Sequence, residues 1–343
     1  MLDKPLEDCM SLPKWMYLPR KSYDVSEGDK PVVLVANYTA QLLFDRATMR
    51  SHEAGIEPWS EMDRYWAKEH AAVMHEIQHG RTYAQYIPGK KYIATRIEDI
   101  LSQHAQINRS RVAEIGCGSG IVLVELAAER GAKEVHGFDK SYGALQFFQF
   151  LAEQYGVVDQ AKTKQGDFYS TGYKANQFDV VFNSGVFEHL DIEDQRRLIH
   201  EMLRILHPEG IVMVAVPNAN GPLHKSSRER EKNIFVQLVQ NAIDYINPLS
   251  KYKYTVDLKE LLETAGAKVL ETGAISVVPS VPLDHEYLKN GLGEFYEKLP
   301  RVERWAEFPE DAFKFWKEIE QKFPQEVARF GWYHYIVGQK PKR

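Results

Sequence analysis

Val112-Ala113-Glu114-Ile115-Gly116-Cys117-Gly118-Ser119-Gly120 is the stretch whose reading decides the fold. An apolar strand, Arg111–Ile115, runs into three alternating glycines, and Ile121–Arg130 resumes as a helix carrying Val122, Val124 and Leu126. Glycine is required where a strand turns sharply into a helix and a ligand must reach the backbone without a Cβ in the way. The dinucleotide fingerprint needs G-x-G-x-x-G, and position 121 is Ile, so its third glycine is missing in register. The pattern is E-x-G-x-G-x-G, with Glu114 two residues before the first glycine. A carboxylate there repels a pyrophosphate beside a helix N-terminus and suits a ligand bearing an ammonium group.

Working outward, short apolar strands alternate with helical stretches from about 111 to 280. Glu134–Phe138 reads as a second strand ending on Asp139, and Tyr142–Tyr155 as a helix with Leu145, Phe148 and Leu151 on one face. Ala161–Gln165 is a weak third strand and Phe178–Asn183 a strong fourth. Asp191 predicts an N-cap for a helix carrying Leu198, Met202 and Ile205. His207-Pro208-Glu209-Gly210 stops that helix before a fifth strand, Gly210–Val216. Later elements are a helix over 256–265, a strand over 268–275 and an alternating, aromatic last strand, Gly331–Gly338. Such alternation predicts a mostly parallel sheet with helices on both faces. Two interruptions are expected. One spans 219–255 with a helix over 233–246; the other, 281–330, carries an amphipathic helix with Ala312, Trp316, Ile319 and Phe323 on one face.

S-adenosylmethionine (SAM) has an α-amino group, a sulfonium and no phosphate, which the acid before the turn favours. The segment resembles motif I of the class I SAM-dependent methyltransferases, and further motifs follow in that family's order. Asp139 closes Gly137-Phe138-Asp139, 25 residues after Glu114. Gly166-Asp167-Phe168 follows the third strand, and Phe178–Leu190 resembles motif IV with its loop. Leu206-His207-Pro208-Glu209-Gly210 resembles the family's L-x-P-G-G turn, with Glu209 in place of a glycine. The resemblance implies a Rossmann-like, mixed seven-stranded α/β sheet with SAM as methyl donor. It implies cofactor-binding roles for Glu114, Gly116, Cys117, Gly118, Gly120, Asp139, Lys140, Asp167, Phe168, Asn183 and Ser184. Asp139 would accept from both ribose hydroxyls, Asp167 and Phe168 would hold the adenine, and Asn183 and Ser184 would meet the methionine end. Cys117 is expected only to line the turn.

The implied activity is methyl transfer to O, N or C of a small, partly apolar metabolite. A SAM-binding regulator without transfer and a protein methyltransferase are the alternatives. If the acceptor must lose a proton, His189 is the first candidate base and Glu188 the second. Base-amino methyltransferases carry Asn/Asp-Pro-Pro-aromatic at motif IV, whereas Asn183-Ser184-Gly185-Val186 has neither proline. With 43 basic against 48 acidic residues and a net charge of −5, a nucleic-acid partner is not expected. Glu229 and Glu231 interleave the basic run Lys225–Lys232, as on a solvated face.

His75-Glu76-Ile77-Gln78-His79 fits the zinc-protease pattern H-E-x-x-H, but no G-x-x-H follows, and Glu98 is only a guess as third ligand. Motif IV also lacks the acidic pair that holds Mg²⁺ in catechol-type enzymes, so no metal is expected. No apolar run reaches 18 residues, the start is Pro-broken, and only Cys9 and Cys117 are present. These features lead to the expectation of a cytoplasmic protein without a membrane span.

All six Trp, at 15, 59, 66, 305, 316 and 332, fall outside 110–280. The expected organisation is an N-terminal helical extension and substrate cap (1–109), a SAM-binding core (110–280), a helical cap insertion (281–330) and a final core strand with tail (331–343). Tyr83, Tyr86, Trp305 and Trp316 are the expected cap residues, closing an aromatic pocket over the carboxyl ends of the strands.

Overall fold

The computed structural model describes residues 66, 70–77, 79–80, 88–218, 258–275, 309–331 and 333–342; for 88–90, 309–312, 315–316 and 329–330 it describes the backbone alone. Helix α1 is Pro88–His104. Then come β1 Arg111–Ile115, α2 Ile121–Ala128, β2 Glu134–Asp139, α3 Tyr142–Gln154, β3 Ala161–Gln165, β4 Phe178–Ser184, α4 Ile192–Ile205 and β5 Leu206–Pro217. Beyond 219–257 come α5 Leu258–Thr264 and β6 Lys268–Ile275, and beyond 276–308 come α6 Pro309–Lys322, α7 Pro324–Phe330 and β7 Tyr333–Gln339.

The strands form one seven-stranded sheet in the order β3-β2-β1-β4-β5-β7-β6, with β7 antiparallel to both its neighbours. Strand β1 has its last four residues buried, as a central parallel strand covered on both faces requires. Alternate residues feed two cores. Val112, Val180, Phe182 and Met213 pack under α1, α2 and α3. Ala113, Val181, Val212 and Ile336 pack under α4 and α5. The third strand read weakly because it is an edge: Lys162 and Gln165 are exposed, as edge strands tolerate. The last strand runs between β5 and β6, where four consecutive residues are buried, so its function is to close the sheet and not to fringe it.

The turn before the fifth strand differs from its sequence reading. Helix α4, capped by Asp191 through the Asp194 amide at 2.9 Å, ends at Ile205, and the strand begins at once. Phe178 pairs with Leu206 and Val180 with Ile211, so 207–210 bulge out of the ladder. Glu209 sits in this bulge at φ 66, a left-handed conformation that costs a residue with a Cβ about 1 kcal/mol. Its carboxylate meets Lys342 at 2.9 Å, but both groups are largely exposed, and such pairs contribute little. Glu209→Gly should therefore stabilise the protein by about 0.5–1 kcal/mol. A lower urea midpoint for the variant would show that the Lys342 pair outweighs the backbone strain.

The described part of the late insertion packs on the α1 side of the sheet. Glu320 on α6 accepts from Tyr92 Oη at 2.8 Å and Arg96 Nε at 2.7 Å, while the rings of Phe313 and Tyr92 lie 5.6 Å apart.

Candidate active site

The glycine turn lies at the carboxyl end of β1. Gly116, Gly118 and Gly120 have φ of 77, 51 and 64, all left-handed. The Gly116 and Cys117 amides donate to the Phe138 carbonyl at 2.7 and 3.1 Å, fastening the turn to the end of β2. Asp139 completes the clamp: Oδ2 accepts from Gly118 N at 2.9 Å and Oδ1 from Ser141 N at 2.8 Å. The N-cap of α3 is Ser141, whose Oγ accepts from Ala144 N, so Asp139 is left to face the turn.

Lys140 and Asp167 stand on neighbouring strand ends and pair at 3.1 Å. Asp167 Oδ1 also accepts from Tyr169 N, which starts a short turn bearing Phe168. Asn183 is fully buried; its Nδ2 donates to the Ile115 carbonyl, while Oδ1 has no partner among the described residues. Ser184, half-buried, follows it at the end of β4. Glu114 is buried and its Oε2 likewise lacks a partner among the described residues. Burial first, and the Asp139 charge second, hold its carboxyl well above the usual carboxylate range. The Cys117 thiol is buried in the turn, and burial first, then Asp139 and Glu114, push it up, which disfavours the thiolate.

The structure adds a residue the sequence reading did not single out. A Cβ on Gly118 would come 2.6 Å from Trp66 Cη2, so the indole lies directly on the glycine turn. The His70 ring stacks on Phe147 at 5.2 Å and approaches Phe150 at 4.8 Å, seating helical residues 70–77 on α3. The signal was present in the sequence: Trp66, His70, Val73 and Ile77 recur at 4, 3 and 4. The expected cap residues Tyr83, Tyr86 and Trp305, and the Trp316 side chain, lie outside the described residues.

The histidine pair of H-E-x-x-H sits at the end of this helix. The His75 and His79 rings are 4.2 Å apart, and His79 Nδ1 lies 2.7 Å from the His75 carbonyl oxygen. Glu98 belongs elsewhere: it is buried on α1 and paired with Arg130. Among the described residues no three His, Cys, Asp or Glu side chains are grouped to hold a metal ion. Nor is any described helix long and apolar enough to cross a membrane.

Beyond β4 a short turn, Phe187–His189, carries both candidate bases. Gln195 holds this turn by donating to the Phe187 and Leu190 carbonyls. His189 is about half exposed, with Nε2 3.8 Å from Glu188 Oε1. Glu188 is 5% exposed, and burial pushes its carboxyl up to about 8. The structure thus separates two residues that the sequence left ranked only by position.

That shift has a thermodynamic consequence. Between pH 4.5 and 8 the unfolded chain ionises Glu188 while the folded chain keeps it protonated, so its stabilising effect is lost as pH rises. Glu188→Gln removes this dependence. Its stability relative to wild type should climb by about 1 kcal/mol per pH unit from 5.5 to 7.5 and level off above 8. Parallel melting curves across that range would contradict the assignment.

Residues 112–210 match the family described as "Methyltransferase domain". Norajmaline N-methyltransferase of Rauvolfia serpentina is 26% identical over 163 residues, 45% of this chain and 55% of that protein. A ubiquinone biosynthesis O-methyltransferase of Neisseria meningitidis serogroup C is 29% identical over 124 residues, covering 36% and 50%. The chain spans about half the length of these curated relatives. A SAM-dependent methyltransferase structure from Archaeoglobus fulgidus aligns at 18% identity and a TM-score of 0.44, covering 75% of this chain and 98% of that one. The family match falls on the strands and turns that build the glycine cradle and the Asp139 clamp, so residues 112–210 are similar to a methyltransferase domain.

Proposed function

We propose that the protein transfers a methyl group from SAM to O, N or C of a small, partly apolar metabolite by in-line displacement. The observation that carries this reading is the convergence at one sheet edge of the glycine cradle, the Asp139 clamp and two buried acceptors without a partner among the described residues, Glu114 Oε2 and Asn183 Oδ1. These residues fit the donor. A ligand ammonium suits Glu114, ribose hydroxyls suit the Asp139 carboxylate, and Asp167 and Phe168 border the adenine side. Lys140 tethers Asp167. Asn183 and Ser184 border the methionine end.

SAM supplies a methyl group already activated by its sulfonium. The chain's task is then to align the acceptor, exclude water and receive a proton. Trp66 on the turn supports a covered site, and residues 59–92 with 281–330 form the cap in this reading, as segments outside the core 110–280. Glu188 and His189 are the proton acceptors within reach of the same edge. The two curated relatives bear names of small-molecule methylation, which favours a metabolite over a macromolecule.

The test incubates the protein with methyl-labelled SAM and a metabolite extract. Label should enter the small-molecule fraction, dependent on protein and lost in Asp139→Ala. Label found only in protein, or SAM bound without any incorporation, would overturn the reading.

A further inference from the structure

The same edge carries groups that donor binding leaves unused. Gly185 follows β4 at φ 82, and a side chain begun there would meet, among the described residues, only Glu188 Oε1 at 3.5 Å and Tyr333 Oη at 3.7 Å. A small gap is thus bordered by a carboxyl from the turn after β4 and a phenol from the first residue of β7. Glu188 Oε2 is buried without a hydrogen-bond partner among the described residues. No described Lys or Arg pairs with this carboxyl; the basic group beside it is His189, 3.8 Å away.

We propose that Glu188 and Tyr333 form the acceptor subsite and that the acceptor it takes is a protonated amine. The inference rests on the methyltransferase reading and names its substrate class. A buried acid with an open lone pair, and among the described residues only the half-exposed His189 as basic neighbour, is completed by a group that brings both N–H donors and positive charge, as an ammonium does. A hydroxyl acceptor brings no positive charge and a single O–H donor, so it offsets the burial of this carboxyl less well. For an amine the proton balance closes within the subsite. When the ammonium pairs with Glu188 the carboxyl gives its proton up to solvent, and the resulting carboxylate takes one proton from the ammonium, freeing the nitrogen lone pair. That pair attacks the methyl carbon, the C–S bond breaks with its electrons on sulfur, and S-adenosylhomocysteine and an N-methylammonium result. The proton on Glu188 then returns to solvent. Tyr333 Oη supplies the second polar contact that orients the nitrogen.

The test uses matched probes with the full chain loaded with S-adenosylhomocysteine: benzylamine with benzyl alcohol, 2-phenylethylamine with 2-phenylethanol, and tryptamine with tryptophol. Ligand-detected NMR should show at least one amine bound tenfold or more tighter than its alcohol. Glu188→Gln should abolish that preference, Tyr333→Phe should reduce it several-fold, and both variants should keep SAM affinity within threefold. The proposal is overturned if no pair shows an amine preference, or if Glu188→Gln retains one. Failure of the wild-type protein to bind SAM would instead overturn the methyltransferase reading on which it rests.

Discussion

Asp139→Ala should weaken SAM binding by more than a hundredfold. The carboxylate would lose two charge-assisted hydrogen bonds to the ribose, together on the order of 3 kcal/mol. The structure adds a second cost, because Asp139 also holds the Gly118 and Ser141 amides at 2.9 and 2.8 Å. Calorimetry on the variant, with its thermal midpoint measured alongside, tests the assignment. An affinity within tenfold of wild type, in a folded variant, would mean that the ribose is held elsewhere.

A comparably large effect on stability is expected at Gly120. A Cβ there would lie 2.3 Å from Phe148 Cδ2 and 2.6 Å from Phe148 Cγ, and Phe148 is fully buried, so the ring has nowhere to move. Overpacking of this kind costs about 1–3 kcal/mol, and the left-handed φ of 64 adds about 1–2 kcal/mol. Gly120→Ala should therefore destabilise the fold by about 3 kcal/mol. Gly156 is the control: its φ is 69, but nothing lies within 4 Å of the added carbon. Gly156→Ala should lose only the backbone part, about 1 kcal/mol. Equal losses at the two sites, read from urea midpoints, would show that Phe148 yields and that packing does not enforce glycine in the turn.

Both expectations concern residues that could be read from the chain, because local chemistry dictates them. A strand ending in alternating glycines, with an acid before and another acid after the next strand, fixes a turn and a charge pattern that few ligands satisfy. Strand β1 and helix α3 were legible because burial on both faces, or on one stripe, leaves a regular apolar period. Edge strand β3 was faint for the opposite reason, since water covers much of it and no period is imposed.

Other features exist only once the sheet is assembled. The bulge at 207–210 depends on where Leu206 and Ile211 find partners on β4, which no local propensity encodes. The contact of Trp66 with Gly118 and the approach of Tyr333 to Gly185 join residues 52 and 148 positions apart in the chain. The contrast between Glu188 and His189 arises likewise from desolvation: two adjacent polar residues look alike in sequence, but the fold buries one and leaves the other half exposed. The sequence by itself determined the cofactor cradle, because backbone conformation and charge at a turn are local properties. Only the tertiary structure decided which of two adjacent polar residues is buried beside Gly185, because burial belongs to the packed molecule and not to the chain.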